Sequence, residues 1–265
     1  MGQSAKGLAM STLIAIIGVV PSRAACALDA FEIQVYDGTA DAAGTPGLEL
    51  HVNDVVRGST MAPPPPELAS NHQAHFTLEP SYGVTSFWEL GAYLQTALRA
   101  DGTFDFAGVK ARSKLVTPPS WSTTRRLGLN LEVSDIPARY EVERWGLELR
   151  PIFAQDLGRF SVVVNPIVDV ALTGAGATFE PAAEILFAWP QLVSVGLEYY
   201  ADLGDIEGFS RVRDQKHYLF EVANLLRVRN FELNVGVGEG LTATSNPFTA
   251  KLILGYQFDD SRAPP

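Results

Sequence analysis

The feature that most constrains this chain is an alternation of apolar and polar side chains that recurs from about residue 72 to residue 258. The last such stretch is the clearest, and only Ile253 interrupts it. Its apolar positions are Phe248, Ala250, Leu252, Leu254, Tyr256 and Phe258, and its polar or small positions are Thr249, Lys251, Gly255 and Gln257. Successive side chains of a β-strand point to opposite faces, so this period of two predicts strands with one apolar and one polar face.

Twelve stretches are predicted as strands, and turn-forming residues such as those at 100–102 separate several of them. The stretches lie near residues 48–54, 72–82, 86–98, 103–116, 127–133, 139–153, 160–170, 179–187, 191–202, 215–226, 231–237 and 248–258. The alternation changes phase between Phe106 and Lys110, because both residues have even numbers although one is apolar and the other is charged. A β-bulge near Ala107-Gly108 is therefore predicted, because one extra residue reverses the faces that follow it.

No long uninterrupted apolar run follows the first residues of the chain, so helical membrane spans are not expected. A closed barrel pairs all of its backbone groups between strands and can therefore lie in lipid. The sequence predicts an all-β fold, a transmembrane antiparallel up-and-down β-barrel of about twelve strands over residues 48–258. A soluble all-β protein is the alternative, and it needs a further layer to cover the apolar faces.

The ends of the chain are predicted to lie outside this barrel. Lys6, an apolar run from Leu8 to Val20 and the stretch Ala25-Cys26-Ala27 are typical of a cleaved signal peptide over residues 1–27, and hence of export. Residues 28–47 are predicted as a periplasmic lead-in or an extra strand, and residues 259–265 as a C-terminal tail. Cys26 is the only cysteine, so no disulfide is expected after cleavage.

The charge pattern indicates an acidic lumen. Removal of Lys6 and Arg23 with the signal peptide gives a formal net charge of (20 − 2) − 30 = −12, which is unsuited to nucleic acid. The lumen candidates on the polar faces are Glu79, Glu89, Glu132, Glu148, Arg150, Asp169, Glu180, Glu184, Glu198, Glu221, Glu232 and Lys251. Further cations on this parity are Arg144 and, if the bulge is present, Lys110, Arg112 and Lys114. This composition favours a passive, cation-leaning passage for an unidentified small solute, and the alternative is a structural ion-pair network in a closed lumen.

Enzymatic and metal sites have weaker signals. His75 and His217 could each face a serine, as in an outer-membrane lipase or deacylase, but no short motif joins them to one. His72 and His75 lack further ligands that the sequence can place, and the glycines at 236, 238 and 240 end a strand rather than open a helix. No metal, cofactor or catalytic residue is therefore predicted, and a structural or surface-binding barrel remains an alternative to a channel.

The C-terminal stretch Leu252-Ile253-Leu254-Gly255-Tyr256-Gln257-Phe258 resembles the terminal signature of outer-membrane proteins. Further resemblance lies in the stretches at 76–85, 88–91, 165–169 and 197–204, which are similar to an uncharacterised proteobacterial family of outer-membrane barrels. The resemblance implies a barrel in outer-membrane lipid that the barrel-assembly machinery inserts, and it implies no substrate. With the last strand ending in the periplasm, the long connections at 55–71, 203–214 and 239–247 are expected outside the cell, whereas the one at 117–126 falls on the periplasmic side.

Overall fold

The computed structural model describes residues 28–61, 67–141, 144–174, 176–189, 193–228 and 230–258. The predicted signal peptide, with Cys26, and the predicted tail at 259–265 lie outside the described residues. Apart from one short 3₁₀ turn at Val212–Asp214, the regular structure of the described part is β-strand. No described helix is long and apolar enough to cross a membrane.

The strands follow one another with few interruptions. They are β1 (Pro46–Arg57), β2 (Gln73–Thr85), β3 (Trp88–Leu98), β4 (Phe104–Val116), β5 (Arg125–Asp135), β6 (Trp145–Leu157), β7 (Phe160–Asn165), β8 (Val168–Ala171), β9 (Ala177–Phe179), β10 (Ala182–Trp189), β11 (Val193–Asp202), β12 (Lys216–Val228), β13 (Phe231–Gly240) and β14 (Phe248–Gln257).

These strands close into a twelve-stranded barrel in which all pairing is antiparallel. Pro166 separates β7 from β8, and Pro181 lies between β9 and β10, since proline has no N–H to donate to a ladder. Each of these pairs of short strands therefore acts as one barrel strand. The ring closes because β1 pairs with β14, with Leu50 opposite Leu254. The predicted fold class and strand number are confirmed.

The predicted β-bulge in β4 is present. Gln95 pairs with Gly108 and Thr96 with Phe106, which leaves Ala107 as the extra residue. Gly108 has φ +136°, a conformation that side-chain-bearing residues rarely adopt. The bulge turns Phe104 and Phe106 outward while the cationic side chains that follow it point into the barrel.

The connections differ in length between the two ends of the barrel. At one end, here called the long-loop end, lie 58–72, 99–103, 136–144, 172–176, 203–215 and 241–247. At the other, the short-loop end, lie 86–87, 117–124 and 158–159, together with the ends of β10 and β12 and the starts of β11 and β13. The three long connections predicted to share one side share the long-loop end, and membrane barrels have their longer loops outside the cell. Which end faces outward stays a prediction.

Residues 28–45, here called the plug, lie inside the barrel. Phe31, Ile33, Val35 and Tyr36 are buried, and the segment carries no strand until β1 begins at Pro46. At the short-loop end, backbone hydrogen bonds between Gly44, Thr45 and Gly83 fasten the plug to β2. The sequence suggested a periplasmic lead-in or an extra strand here; the structure instead surrounds this alternating stretch with the polar wall, which buries both of its faces.

Candidate channel lumen

Four buried wall cations each have a carboxylate partner on the wall itself. The pairs are Lys110 Nζ with Glu132 Oε2 (3.3 Å), Arg112 Nη2 with Glu79 Oε1 (2.6 Å), Arg150 Nε with Glu148 Oε1 (2.6 Å) and Lys251 Nζ with Glu198 Oε2 (2.5 Å). A buried charge is costly unless it is paired and hydrogen-bonded, so these pairs are what make a charged interior tolerable. They do not depend on the plug, although the plug adds to them.

Glu132 lies at the centre of a network that joins the wall to the plug. Its Oε1 accepts hydrogen bonds from Asn130 Nδ2 at 2.7 Å and from the Tyr93 hydroxyl at 3.2 Å. The hydroxyls of Tyr93 and Tyr36 lie 2.6 Å apart, and Tyr36 donates to Glu32 Oε1 at 2.6 Å. Two plug side chains, Glu32 and Tyr36, thus lie in contact with the polar network that begins on β5.

Wall side chains also bind the backbone of the plug along most of its length. The wall donors to plug carbonyls are Asn53 to Ala30, Thr77 to Phe31, Lys251 to Ile33, Arg150 to Gln34, Asn165 to Tyr36 and Arg126 to Asp37. These donors come from two groups of neighbouring strands on different sides of the barrel, namely β14, β1 and β2, and β5, β6 and β7. The plug is therefore held at the centre of the barrel without pairing to any strand along this stretch. Wall side chains supply the hydrogen bonds that a neighbouring backbone normally gives.

An apolar cluster packs against one side of the plug. Ile33 and Val35 contact the inward side chains of β12, among which Tyr218, Phe220 and Val222 are buried. This contact explains why β12 has its apolar face inward. Glu221, which lies between these residues, consequently points outward between Leu197 and Val237 on the neighbouring strands.

The structure therefore corrects two sequence-based placements. Glu221 is exposed on the outer wall, not in the lumen, because the apolar face of β12 packs on the plug rather than on lipid. Arg144 is exposed at the long-loop end, where its Nε donates to Asp135 Oδ1 at 2.6 Å.

The remaining candidates face the interior. Eight are buried in the lumen: Glu79, Glu89, Glu132, Glu148, Arg150, Glu184, Glu198 and Lys251. Asp169 and Glu180 line a cavity at the long-loop end. Glu232 projects inward beside Gly255 of β14. That these residues act on a solute stays a prediction.

Sequence reasoning missed several interior residues that bind the plug or its network. They are His51, Asn53, Thr77, Tyr93, Asn130 and Asn165. Most share the inward parity of the predicted lumen residues, so parity could have found them. Their role could not be predicted, since it requires a segment inside the barrel that the alternation alone does not reveal.

A cavity of about 620 Å³ lies between the plug and the long loops, here called the vestibule. Its walls include Asp169, Glu180 and Glu141 on one side and His75 and Thr249 on the other. Glu141 belongs to the loop between β5 and β6. Burial, together with the nearby charge of Asp169, raises the pKa of Glu141 to about 8.

One cluster among the described residues has the composition of a metal site. Glu49, His51 and Glu79 each bring a ligand atom within 4.8 Å of the others. Glu79 is already occupied, because Arg112 Nε donates to its Oε1 at 2.8 Å and His51 Nε2 lies 3.0 Å from its Oε2. A guanidinium at this distance opposes a bound cation, so the cluster is better described as an ion-paired part of the wall.

Neither histidine that was considered for catalysis has a serine as the partner of its ring in the described part of the chain. The His217 ring lies 2.6 Å from the Tyr199 hydroxyl and 3.0 Å from Gln215 Oε1. Ser245 binds the backbone of His217 rather than its ring. The His75 ring packs edge-on against Phe31, and its Nδ1 has no hydrogen-bond partner.

Solved outer-membrane barrels are similar to this chain in fold. An outer-membrane channel from Pseudomonas putida F1 has a TM-score of 0.62 and 13% sequence identity, over 86% of this chain and 100% of that chain. The KdgM porin has a TM-score of 0.54 and 10% identity, over 80% of this chain and 99% of that chain. KdgM in complex with disordered oligogalacturonate has a TM-score of 0.50 and 9% identity, over 80% and 98% of the two chains. At these identities the likeness concerns the fold alone.

No protein-family model matches the chain, and no curated protein does. The fold predicted from the sequence is shared with outer-membrane channels and porins, whereas the resemblance to one uncharacterised family stays a prediction.

Proposed function

We propose that this protein is an outer-membrane channel for small solutes whose lumen favours cations and is closed by the plug. The observation that carries the proposal is the reversal of side-chain polarity between the two faces of the wall. Charged and amide side chains are sealed inside, while large apolar side chains are exposed on the outer face. They include Leu50, Leu78, Leu94, Phe106, Leu129, Phe153, Val195 and Leu254. Such a surface suits lipid and is costly in water.

Export by a cleaved signal peptide and insertion by the barrel-assembly machinery belong to this proposal. Both rest on the sequence, through the apolar segment before residue 28 and the aromatic end of β14. The long-loop end is then extracellular, and the short-loop end, where Thr45 meets Gly83, faces the periplasm.

The plug is the part of the lumen that a channel would have to displace. Side chains alone fill barrels of about eight strands, and open channels have about 16 to 18, so a barrel of intermediate size can need a further segment to close it. The plug supplies that segment. Since Lys110, Arg112, Arg150 and Lys251 keep partners on the wall, the barrel can retain its charge pairing when the plug leaves.

The balance of charge supports a preference for cations. Of the side chains around the vestibule, eight are carboxylates and four are Lys or Arg: Asp29, Glu32, Glu67, Glu132, Glu141, Glu148, Asp169 and Glu180 against Lys110, Arg139, Arg150 and Lys216. Rings of carboxylates favour cations in channels. The KdgM porin binds oligogalacturonate, a polyanion, and an acidic entrance of the present kind would repel such a ligand.

The reversal potential of plug-deleted protein in a KCl gradient tests the proposed function. The variant lacks residues 28–40 and keeps 41–45, because Asp41 binds Ser81 and Thr45 binds Gly83. We expect open channels whose reversal potential shows K⁺ preference. Asp169→Asn with Glu180→Gln should reduce that preference, whereas Glu207→Gln, in an exposed connection at the same end, should leave it unchanged. Preference for Cl⁻ would contradict the cation-leaning lumen.

A structural or surface-binding barrel is the second candidate, and the many hydrogen bonds to the plug are the observation that favours it. A permanently closed barrel would keep its plug and need no path. The two candidates separate in the intact protein, because a channel must show at least rare openings in a planar bilayer, whereas a barrel that keeps its plug permanently stays silent.

A further inference from the structure

The vestibule has carboxylates on one side and buried polar atoms without a hydrogen-bond partner on the opposite side. Asp169 belongs to β8, and Glu180 follows β9, whereas His75 and Thr249 belong to β2 and β14 on either side of β1. In the order of the twelve-stranded ring, the strand formed by β7 and β8 lies across from β1. A molecule in the cavity therefore lies between the two sides.

The acidic side has carboxylates without an ion-pair partner among the described residues. No described Lys or Arg forms an ion pair with Asp169, Glu180 or Glu141, whereas Glu132, Glu148 and Glu198 deeper in the lumen are paired. Asp169 and Glu141 both approach Gly146, and Glu180 accepts a hydrogen bond from the Thr178 hydroxyl at 2.7 Å. Desolvation favours the neutral form of such carboxyl groups, and a cation that binds beside them favours the charged form.

The opposite side supplies an independent observation. His75 and Thr249 are 4% and 0% exposed, both line the vestibule, and neither His75 Nδ1 nor Thr249 Oγ1 has a hydrogen-bond partner. A buried polar atom without a partner is uncommon and costs free energy, so such atoms point to a missing ligand or water. The lone pairs of a neutral imidazole and of a hydroxyl both accept hydrogen bonds from a donor such as an ammonium group.

The surface between the two sides is apolar and aromatic. Phe31, Tyr140, Tyr200 and Tyr218 line the vestibule together with aliphatic side chains such as Ile136. An aromatic lining can hold the body of an organic molecule and also attracts cations over the ring faces. The cavity volume of about 620 Å³ falls in the range of small-molecule sites.

From these observations we infer that the vestibule binds a small organic ammonium ion with an apolar body. Its charged group binds among Asp169, Glu180 and Glu141, and its body lies on the aromatic surface beside His75 and Thr249. A metal ion fits less well, because among the described residues only Glu49, His51 and Glu79 converge closely enough to form a metal site. The inference deepens the proposed function and rests on it for the membrane setting and the direction of entry.

Calorimetric binding to the full mature protein in detergent tests the inference, with three probes of similar size. They are 2-phenylethylamine, the neutral 2-phenylethanol and the anionic 3-phenylpropionate. We expect one saturable site for the amine and weaker binding of the other two. Asp169→Asn with Glu180→Gln should weaken amine binding about tenfold or more, because neutral amides replace the two carboxyl groups that can pair with the ammonium. The matched Glu207→Gln variant should bind as the unaltered protein does.

Two results would overturn the inference: amine binding that the double variant leaves unchanged, or alcohol and carboxylate binding as tight as that of the amine. Absence of saturable amine binding to folded protein would overturn it as well. Retained heat-modifiable gel mobility shows that a variant is folded. Failure here is distinguishable from failure of the proposed function, because plug-deleted barrels are scored separately for conductance.

Discussion

Asn165 of β7 holds Tyr36 of the plug by two hydrogen bonds, one with its backbone N–H and one with its backbone carbonyl. Its Oδ1 accepts from the Tyr36 N–H at 2.8 Å, and its Nδ2 donates to the Tyr36 carbonyl at 3.0 Å. This is the pattern by which neighbouring strands pair, made here by one side chain. Asn165 is fully buried, so neither bond competes with bulk water.

Replacing Asn165 by Ala should loosen the plug without opening the barrel wall. Two buried backbone groups lose their partners, which costs about 1–3 kcal/mol for each group left unsatisfied. Hydrogen–deuterium exchange of peptides that contain Tyr36 should accelerate, while exchange in β3 stays unchanged. Asn224→Ala is the matched control, since Asn224 faces the interior but binds Asn234 rather than the plug. Equal protection of Tyr36 in both variants would refute the role of Asn165.

Replacing Glu221 by Leu should stabilise the barrel. Glu221 lies near the middle of β12 and faces outward between apolar neighbours, where a carboxylate is costly in lipid. We expect a gain of about 1–2 kcal/mol in the free energy of unfolding, measured by urea titration in lipid vesicles. Glu132→Leu is the contrasting variant and should destabilise by about 1–3 kcal/mol, because Tyr93 and Asn130 lose their acceptor while Lys110 keeps Asp29 of the plug. Destabilisation by Glu221→Leu would mean that the Glu221 side chain faces the lumen after all.

Replacing Gly108 by Ala should damage the bulge on which the polarity of β4 depends. At φ +136° a Cβ atom is strained, and it would lie 2.8 Å from the carbonyl oxygen of Asp135 on β5. The cost should be about 1–3 kcal/mol in the same unfolding assay. Gly208→Ala, at a site with open space and no positive φ, should be close to neutral. An unchanged free energy of unfolding in Gly108→Ala would mean that the β-bulge in β4 forms without a glycine at this position.

The charge of the vestibule should depend on pH through Glu141. Burial raises its pKa to about 8, above the ordinary value of 4.5, so the carboxyl is neutral below that pH and charged above it. The same shift lowers folding stability as the pH rises from 4.5 through about 8. The other charged groups that face Glu141 are Asp169 on β8, Lys110 on β4, Asp29 on the plug and Glu67 in the β1–β2 connection.

Binding of a permanently charged probe, phenyltrimethylammonium, should therefore tighten roughly fivefold between pH 6 and pH 9, as one more negative charge appears nearby. Fluorescence or calorimetric titration measures the change. In Glu141→Gln the affinity should vary less with pH. A pH profile that this substitution leaves unaltered would assign the titration to another group.

The strands and the bulge could be predicted because both depend on local alternation. Phe104 and Phe106 share parity with Lys110 and Arg112, and only an inserted residue reconciles them. Most of the acidic lumen follows from the same rule, since Glu79, Glu132 and Glu198 lie opposite apolar neighbours along their own strands.

The plug and the orientation of β12 could not be predicted from alternation. Phe31, Ile33 and Val35 alternate as a strand does, yet all sides of this segment are buried, so no face marks it as different. Tyr218 and Phe220 form an apolar row that would face lipid in an empty barrel. They face inward only because the plug offers an apolar surface, and this non-local contact is invisible in a single strand.

Single-channel conductance in planar bilayers tests the central claim most directly, by comparing the full mature chain with the variant that lacks residues 28–40. The structure predicts that the intact protein is closed, or conducts far less, and that the deletion gives long-lived open channels from a barrel with unchanged heat-modifiable mobility. Equal conductance of the two proteins would contradict the assignment of residues 28–45 as the segment that closes the lumen.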